Sequence, residues 1–134
     1  MKVQVIIERG ADGSFDANME LINNVPFGLL GQGKTVSDAI TDFYNSYNEI
    51  QAIYKTDGKE CPMLEFDFIY DMPSFLQYYA YAFSLAGLER ITGVGRRQLS
   101  HYINGVKKPS EKTIRMIENH IHLLGNEISS INFA

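Results

Sequence analysis

The chain has 134 residues, 45% of them hydrophobic and 21% charged, with a net charge of −4; that length allows one ordinary domain or two very small ones, each able to bury a core. No run approaches the roughly 18 apolar residues of a membrane helix, and Glu8 and Arg9 break MKVQVIIERG before a signal peptide's apolar region can form. The single cysteine, Cys61, can neither close an internal disulfide nor build a cysteine zinc site, so the disulfide-scaffold, secreted mini-protein and membrane classes are excluded and a cytoplasmic location is expected.

The elements follow in chain order. Val3, Val5 and Ile7 alternate with Lys2, Gln4 and Glu8, the period of a half-buried strand. Gly10-Ala11-Asp12-Gly13 turns the chain back as a hairpin into a second strand around residues 14–20, and a third is expected around 26–30. Val36, Ile40, Phe43, Tyr47, Ile50 and Ile53 or Tyr54 recur at helical steps. Thr35 is placed to cap that helix, with Asp38 completing a capping box. The helix should end before Thr56-Asp57-Gly58. After Pro62, MLEFDFIY alternates Leu64, Phe66 and Phe68 with Glu65 and Asp67 as a fourth strand. The expectation for residues 1–71 is an α+β domain of order β-β-β-α-β, one helix covering the inner face of a small sheet.

From Pro73 the period is helical throughout. Four helices are expected over residues 72–134: Ser74 to about Ser84, Leu85–Thr92, Arg96–Ile103 and Ser110–Leu124, the last stopped by Gly125 as its C-terminal cap. Gly93-Val94-Gly95, Asn104-Gly105 and Pro109-Ser110 separate them. Ile114, Ile117, Ile121 and Leu124 form one stripe on the last helix. The tail NEISSINFA carries Ile128, Ile131 and Phe133, apolar enough to dock, and a homodimer or higher homo-oligomer is expected from this end of the chain.

Charge divides at the same place. Residues 1–71 carry five Lys/Arg against twelve Asp/Glu, a net of −7, whereas residues 72–134 carry seven against four, a net of +3. Modules of opposite sign suit different partners, the basic one a phosphate backbone.

Within the basic half, LAGLERITGVGRRQLSHYIN (85–104) has the pattern of a helix-turn-helix. Leu88 and Ile91 are candidates for burial in the first helix, Gly93 for the sharp turn and Val94 for the plug beneath it. Leu99 with Tyr102 or Ile103 would anchor the second helix. The polar residues left are Arg96, Arg97, Gln98, Ser100, His101 and Asn104. Arg can bond bidentately to guanine and Gln to adenine, so this face suits base edges or phosphates. Lys107 and Lys108 follow in the next loop, and the helix opened by Ser110 offers unpaired N–H groups to another phosphate.

With its continuation Asn104-Gly105-Val106-Lys107-Lys108-Pro109, this window resembles the helix-turn-helix of the Xre/Cro-like regulators. One residue departs from the pattern: Glu89 stands where the motif prefers a small residue such as Ala, because two helices cross there. In the first half, Gly31-Gln32-Gly33-Lys34-Thr35-Val36-Ser37-Asp38-Ala39-Ile40 resembles the strand-to-helix segment of HicB-type antitoxins, although of that family's Pro-x-x-x-Gly-Cys stretch the chain has only Val25-Pro26-Phe27-Gly28. That resemblance implies a truncated RNase H-like first domain that binds and neutralises a small basic HicA-type mRNA-cleaving toxin. It also implies a second domain that represses the operon by binding operator DNA.

Several other motifs have a plainer reading. Gly28-Leu-Leu-Gly-Gln-Gly33-Lys34-Thr35 satisfies the P-loop pattern, but a nucleotide site of that kind needs a wide parallel sheet of βαβ units. Thr35 is explained as a helix cap and Lys34 as a loop residue. Glu8, Asp16 and Asp38 have no spacing that forces them around metal ions. His120 and His122 are two apart on a helix and point to different faces, Cys61 has no base beside it, and Tyr78, Tyr79, Tyr81 and Phe83 read as core or interface. The sequence therefore reads as an antitoxin and repressor, not an enzyme, with no cofactor or metal. The alternative is a stand-alone transcriptional regulator whose first domain senses a ligand.

Overall fold

Val3, Val5 and Ile7 are buried on one face of the first strand, β1 (Lys2–Arg9), as their alternation requires. The computed structural model describes all 134 residues and builds the rest of the first half around that strand. β2 (Phe15–Met19) and β3 (Leu30–Gly33) precede a helix, α1 (Val36–Thr56), and β4 (Glu65–Tyr70) follows it. The sheet order is β3-β2-β1-β4. β1 pairs antiparallel with β2 and parallel with β4, and β2 pairs antiparallel with β3. The fold is thus α+β with a four-stranded mixed sheet. A parallel neighbour needs a crossover, and α1 lies within the connection between β3 and β4.

Register puts Val3, Val5 and Ile7 opposite Phe66, Phe68 and Tyr70 on one side and sets Val5 and Ile7 opposite Met19 and Ala17 on the other. Ala39, Phe43 and Tyr47 of α1 close over this face. Phe43 meets Phe66 and Phe68 edge-on at ring-centroid distances of 4.8 and 5.5 Å, the geometry that the aromatic quadrupole favours. The Tyr47 hydroxyl donates to the Pro62 carbonyl and accepts from the Leu64 amide, both at 3.1 Å, fixing the entry to β4. Thr35 caps α1 by accepting from the Asp38 amide at 3.0 Å.

Four details correct the sequence-based expectation. The third strand lies at 30–33 rather than 26–30. Val25 and Leu29 are buried core residues in the preceding irregular segment, while the strand itself uses glycines. A Cβ on Gly31 would stand 2.2 Å from the Ala39 carbonyl oxygen and 2.4 Å from the Phe43 nitrogen, so only glycine lets β3 lie against the backbone of α1. Next, α1 includes Thr56 and is capped by Asp57.

The third detail concerns the start of the helical half. The helix α2 (Met72–Tyr78) is followed by a short 3-10 turn, Tyr79–Tyr81, and does not reach Ser84. Ser84 is extended because it caps the next helix, accepting from the Gly87 amide at 3.0 Å. Ser74 is not the cap of α2 but lies inside it. Asp71 accepts from the Ser74 amide at 3.2 Å and from its hydroxyl at 2.7 Å, while the Ser74 oxygen receives the Arg9 amide at 3.0 Å.

After α3 (Leu85–Thr92) and α4 (Arg96–Ile103), the last helix, α5 (Glu111–Ser129), runs straight through Gly125. A glycine inside a helix costs only about 1 kcal/mol, and Gly125 does not take the positive φ of a helix stop. Two compact units result, Met1–Phe75 and Leu76–Ala134; the expected division at 71/72 falls just before α2. No helix is long and apolar enough to cross a membrane.

Candidate nucleic-acid interface

The second unit is organised by a tight connection between α3 and α4. Gly93 ends α3 in the left-handed region at φ 76°, where a side chain would be strained, and its amide donates to the Glu89 carbonyl at 2.9 Å. Thr92 is buried. Its hydroxyl donates to the Leu88 carbonyl at 2.7 Å and accepts from the Val94 amide at 3.2 Å. These bonds turn Val94 inward, and with Leu88, Leu99, Tyr102 and Ile117 it belongs to the unit's small buried core. Leu88, Val94, Leu99 and Tyr102 are therefore buried where the sequence placed them, and Ile91 and Ile103 are half-buried beside them.

The helix α4 opens after Gly95, which has no side chain to cap it. Glu89 supplies the missing acceptor from the previous helix. One carboxylate oxygen receives the Arg96 amide at 2.8 Å, and the other receives the Arg96 guanidinium at 3.2 Å. Charge-assisted bonds of this kind favour the ionised carboxylate. First the bond from the Arg96 amide, then that from its side chain, hold the Glu89 carboxyl below the usual glutamate range. The residue that departs from the motif pattern is thus the cap of the second helix.

At about 100° per residue, Arg96, Arg97, Ser100, His101 and Asn104 share one side of α4, opposite buried Leu99 and Tyr102, with half-buried Ile103 at the edge beside Arg96. Gln98 does not belong to that side. It is exposed at the flank, and its amide donates to the Tyr102 hydroxyl. The grouping of Gln98 with the other polar residues is corrected accordingly: its position is only two residues from Arg96 and Ser100, which turns it away from both. Asn104 donates to the Ser100 hydroxyl at 3.2 Å. Arg96 is bound to Glu89, and Arg97 and His101 make no side-chain bond within the chain.

The loop after α4 folds back on its C-terminus, with the Val106 and Lys107 amides donating to the His101 carbonyl at 2.9 and 3.3 Å. Lys107 and Lys108 are exposed there. The Ser110 hydroxyl is engaged as the cap of α5, accepting from the Thr113 amide at 3.2 Å. What Ser110 leaves available is the set of first-turn amides beyond it, the groups that suit an anion. The chemistry on offer is therefore two arginines, two lysines, an imidazole and a helix N-terminus.

The first unit presents a different surface. α1 covers one face of its sheet, and the register assigns the other to Lys2, Gln4, Ile6 and Glu8 of β1, with Asp16, Asn18, Glu65, Asp67 and Ile69 from its neighbours. Four carboxylates face a single ammonium. Leu30, Asn18, Ile6 and Ile69 lie in one row across the four strands, apolar except for Asn18, and Leu30 and Ile69 are 45% and 37% exposed.

The remaining motifs have structural explanations. Inside the P-loop-like stretch, residues 30–33 are an edge strand antiparallel to β2, and the Gln32 amide donates to the Asp42 carboxylate at 2.9 Å. Those amides do not form a phosphate cradle. Glu8 and Asp16 face each other across β1 and β2, whereas Asp38 is in the first turn of α1. His120 bonds the Met116 carbonyl through Nδ1 at 2.8 Å. Tyr78, Tyr79 and Tyr81 pack together at 5.0–6.3 Å. The expected stripe of α5 has Ile117 buried and Ile114, Ile121 and Leu124 half-buried, while Leu123, Ile128, Ile131 and Phe133 are exposed. Comparison with protein-family models, with curated proteins and with solved structures returns no match for this chain.

Proposed function

We infer that this chain is a two-module repressor and antitoxin of the HicB type. The observation that carries the reading is the side of α4 and its following loop. Arg97, His101, Lys107 and Lys108 project there without intramolecular partners, on a turn whose glycine and buried valine hold the two helices at a fixed separation. A helix presented this way enters the major groove of a duplex, the loop lysines meet the phosphates beside it, and the first-turn amides of α5 take another phosphate. Arg97 and His101 are assigned to base edges, and Lys107 and Lys108 to the backbone.

The first unit supports the antitoxin part. An open sheet face with an apolar row between carboxylates suits a small cationic protein, and a ribonuclease toxin that handles RNA has that charge. A homodimer through the exposed apolar positions of α5 and the tail would call for half-sites about 34 Å, one duplex turn, or a multiple of it apart.

Duplex binding followed by fluorescence anisotropy at several salt concentrations tests the reading. Arg97→Ala is expected to cost about 1–3 kcal/mol on the chain's own operator and to relax base preference. Lys107→Ala is expected to weaken binding on all duplexes alike and to flatten the salt dependence by about one phosphate's worth. If both variants bind as the parent does, this face is not the nucleic-acid interface. A partner pulled down from the native cell that is neither small nor basic overturns the antitoxin part.

A further inference from the structure

We propose that Glu89 is a positioning residue that withholds Arg96 from nucleic acid, so that the basic face reaches a duplex with one cation held back. This rests on the duplex-binding reading above. Glu89 performs two separable tasks with its two oxygens. One caps the first amide of α4 at 2.8 Å; the other binds the Arg96 guanidinium at 3.2 Å.

Only the first task is structural. A helix beginning at glycine needs an acceptor for its leading amides, and a neutral amide side chain still supplies one, weaker than a carboxylate but enough to satisfy the donor. The second task requires charge, and it opposes binding. The Arg96 and Glu89 side chains keep 61% and 37% of their surface in solvent, so the pair contributes little to stability. Its cost falls on the complex instead. A phosphate that takes the bonded edge of the Arg96 guanidinium displaces Glu89, and one that takes a free edge lies beside the Glu89 carboxylate, a like charge in either case. Arg97, the next residue, has no such tether. Two adjacent exposed arginines are thereby given different roles: Arg97 is free to read, and Arg96 is held at the lip of the turn.

Withholding Arg96 lowers the sequence-independent part of the affinity, because a released guanidinium would find a phosphate on any duplex. That reduces occupation of random sites, which greatly outnumber specific ones.

The test is Glu89→Gln in the full chain, with a random-sequence duplex as probe. The glutamine oxygen can still cap the Arg96 amide, so the melting temperature should stay close to the parent's. Affinity for the random duplex should rise several-fold. The plot of log K against log salt should steepen by about 0.9, the increment for one added phosphate contact. The double variant Glu89→Gln/Arg96→Ala should return the slope to the parent's value, an outcome that a purely structural role for Glu89 would not produce. If the parent binds the duplex and Glu89→Gln leaves the slope unchanged, the proposal fails while the duplex-binding reading stands. If the parent shows no salt-dependent duplex binding, that reading fails and takes this proposal with it. If Glu89→Gln lowers the melting temperature sharply, the Arg96 amide bond is measured on the folded fraction by hydrogen exchange; the salt slope of that fraction still decides.

Discussion

Glycine does opposite work in the two halves of this molecule. In the sheet unit, Gly31 is required for what it lacks: the backbones of β3 and α1 come so close that a methyl group has nowhere to go. In the helical unit, Gly93 has open space where its side chain would be and is required for its dihedral angle. The first unit is held by long-range pairing of strands and by the contact of α1 with the sheet, and the second by short connections that turn one helix onto the next. One half is therefore sensitive to volume and the other to local conformation and a few buried anchors.

Gly31→Ala should have the largest effect. The obstacle is backbone rather than a movable side chain, so the cost should exceed the roughly 1–3 kcal/mol usual for overpacking and remove cooperative melting of residues 1–75. Thermal unfolding followed by hydrogen exchange should show α3 and α4 still protected. Loss of protection in both units at once would mean that they do not fold independently.

Leu99→Ala is the counterpart in the other half. Leu99 is fully buried, and truncating such a residue costs about 2–5 kcal/mol. In so small a core that should unfold α4 and abolish duplex binding while the amides of β1 stay protected. A variant that keeps its duplex affinity would show that α4 does not depend on this anchor.

The smallest effect is in acid. Each unit has one exposed carboxyl held below its usual range. For Asp12 the leading cause is the Ser14 hydroxyl, which donates to it at 2.6 Å in the β1–β2 hairpin; for Glu89 it is the Arg96 amide. A depressed pKa in the folded state stabilises above the unfolded value, and that contribution is lost as pH falls through the folded one. Both turns should therefore loosen slightly as pH falls through the acid range, seen as lower protection factors for the Ser14 and Arg96 amides once the intrinsic exchange rate at each pH is divided out. In Glu89→Gln the Ser14 response should persist and the Arg96 response vanish. An Arg96 amide that keeps its pH response in that variant would assign the effect to another carboxylate.

Much of this architecture is legible in the chain because it rests on periodicity and short-range chemistry. The alternation of Val3, Val5 and Ile7, the spacing of Phe43 and Tyr47, the cap at Thr35 and the turn at Gly93 each follow from neighbours within a few residues. Gln98 shows where local reading stops: its chemistry suits a base edge, but its angular position puts it beside Tyr102. Ser74 looks like a helix cap, and only the neighbouring strand shows that its hydroxyl is needed by Arg9. Glu89 is conspicuous as an exception, yet the explanation depends on Gly95 leaving α4 without a cap of its own.

The chain alone set the order and type of the main strands and helices, the opposite charge of the two halves and the central anchors of each core, because burial period, capping and turn chemistry act locally. Tertiary structure decided which glycines form an edge strand, which of two adjacent arginines is tethered, and which carboxylates share a sheet face. Those outcomes depend on backbones and charges meeting across a distance that no local pattern encodes.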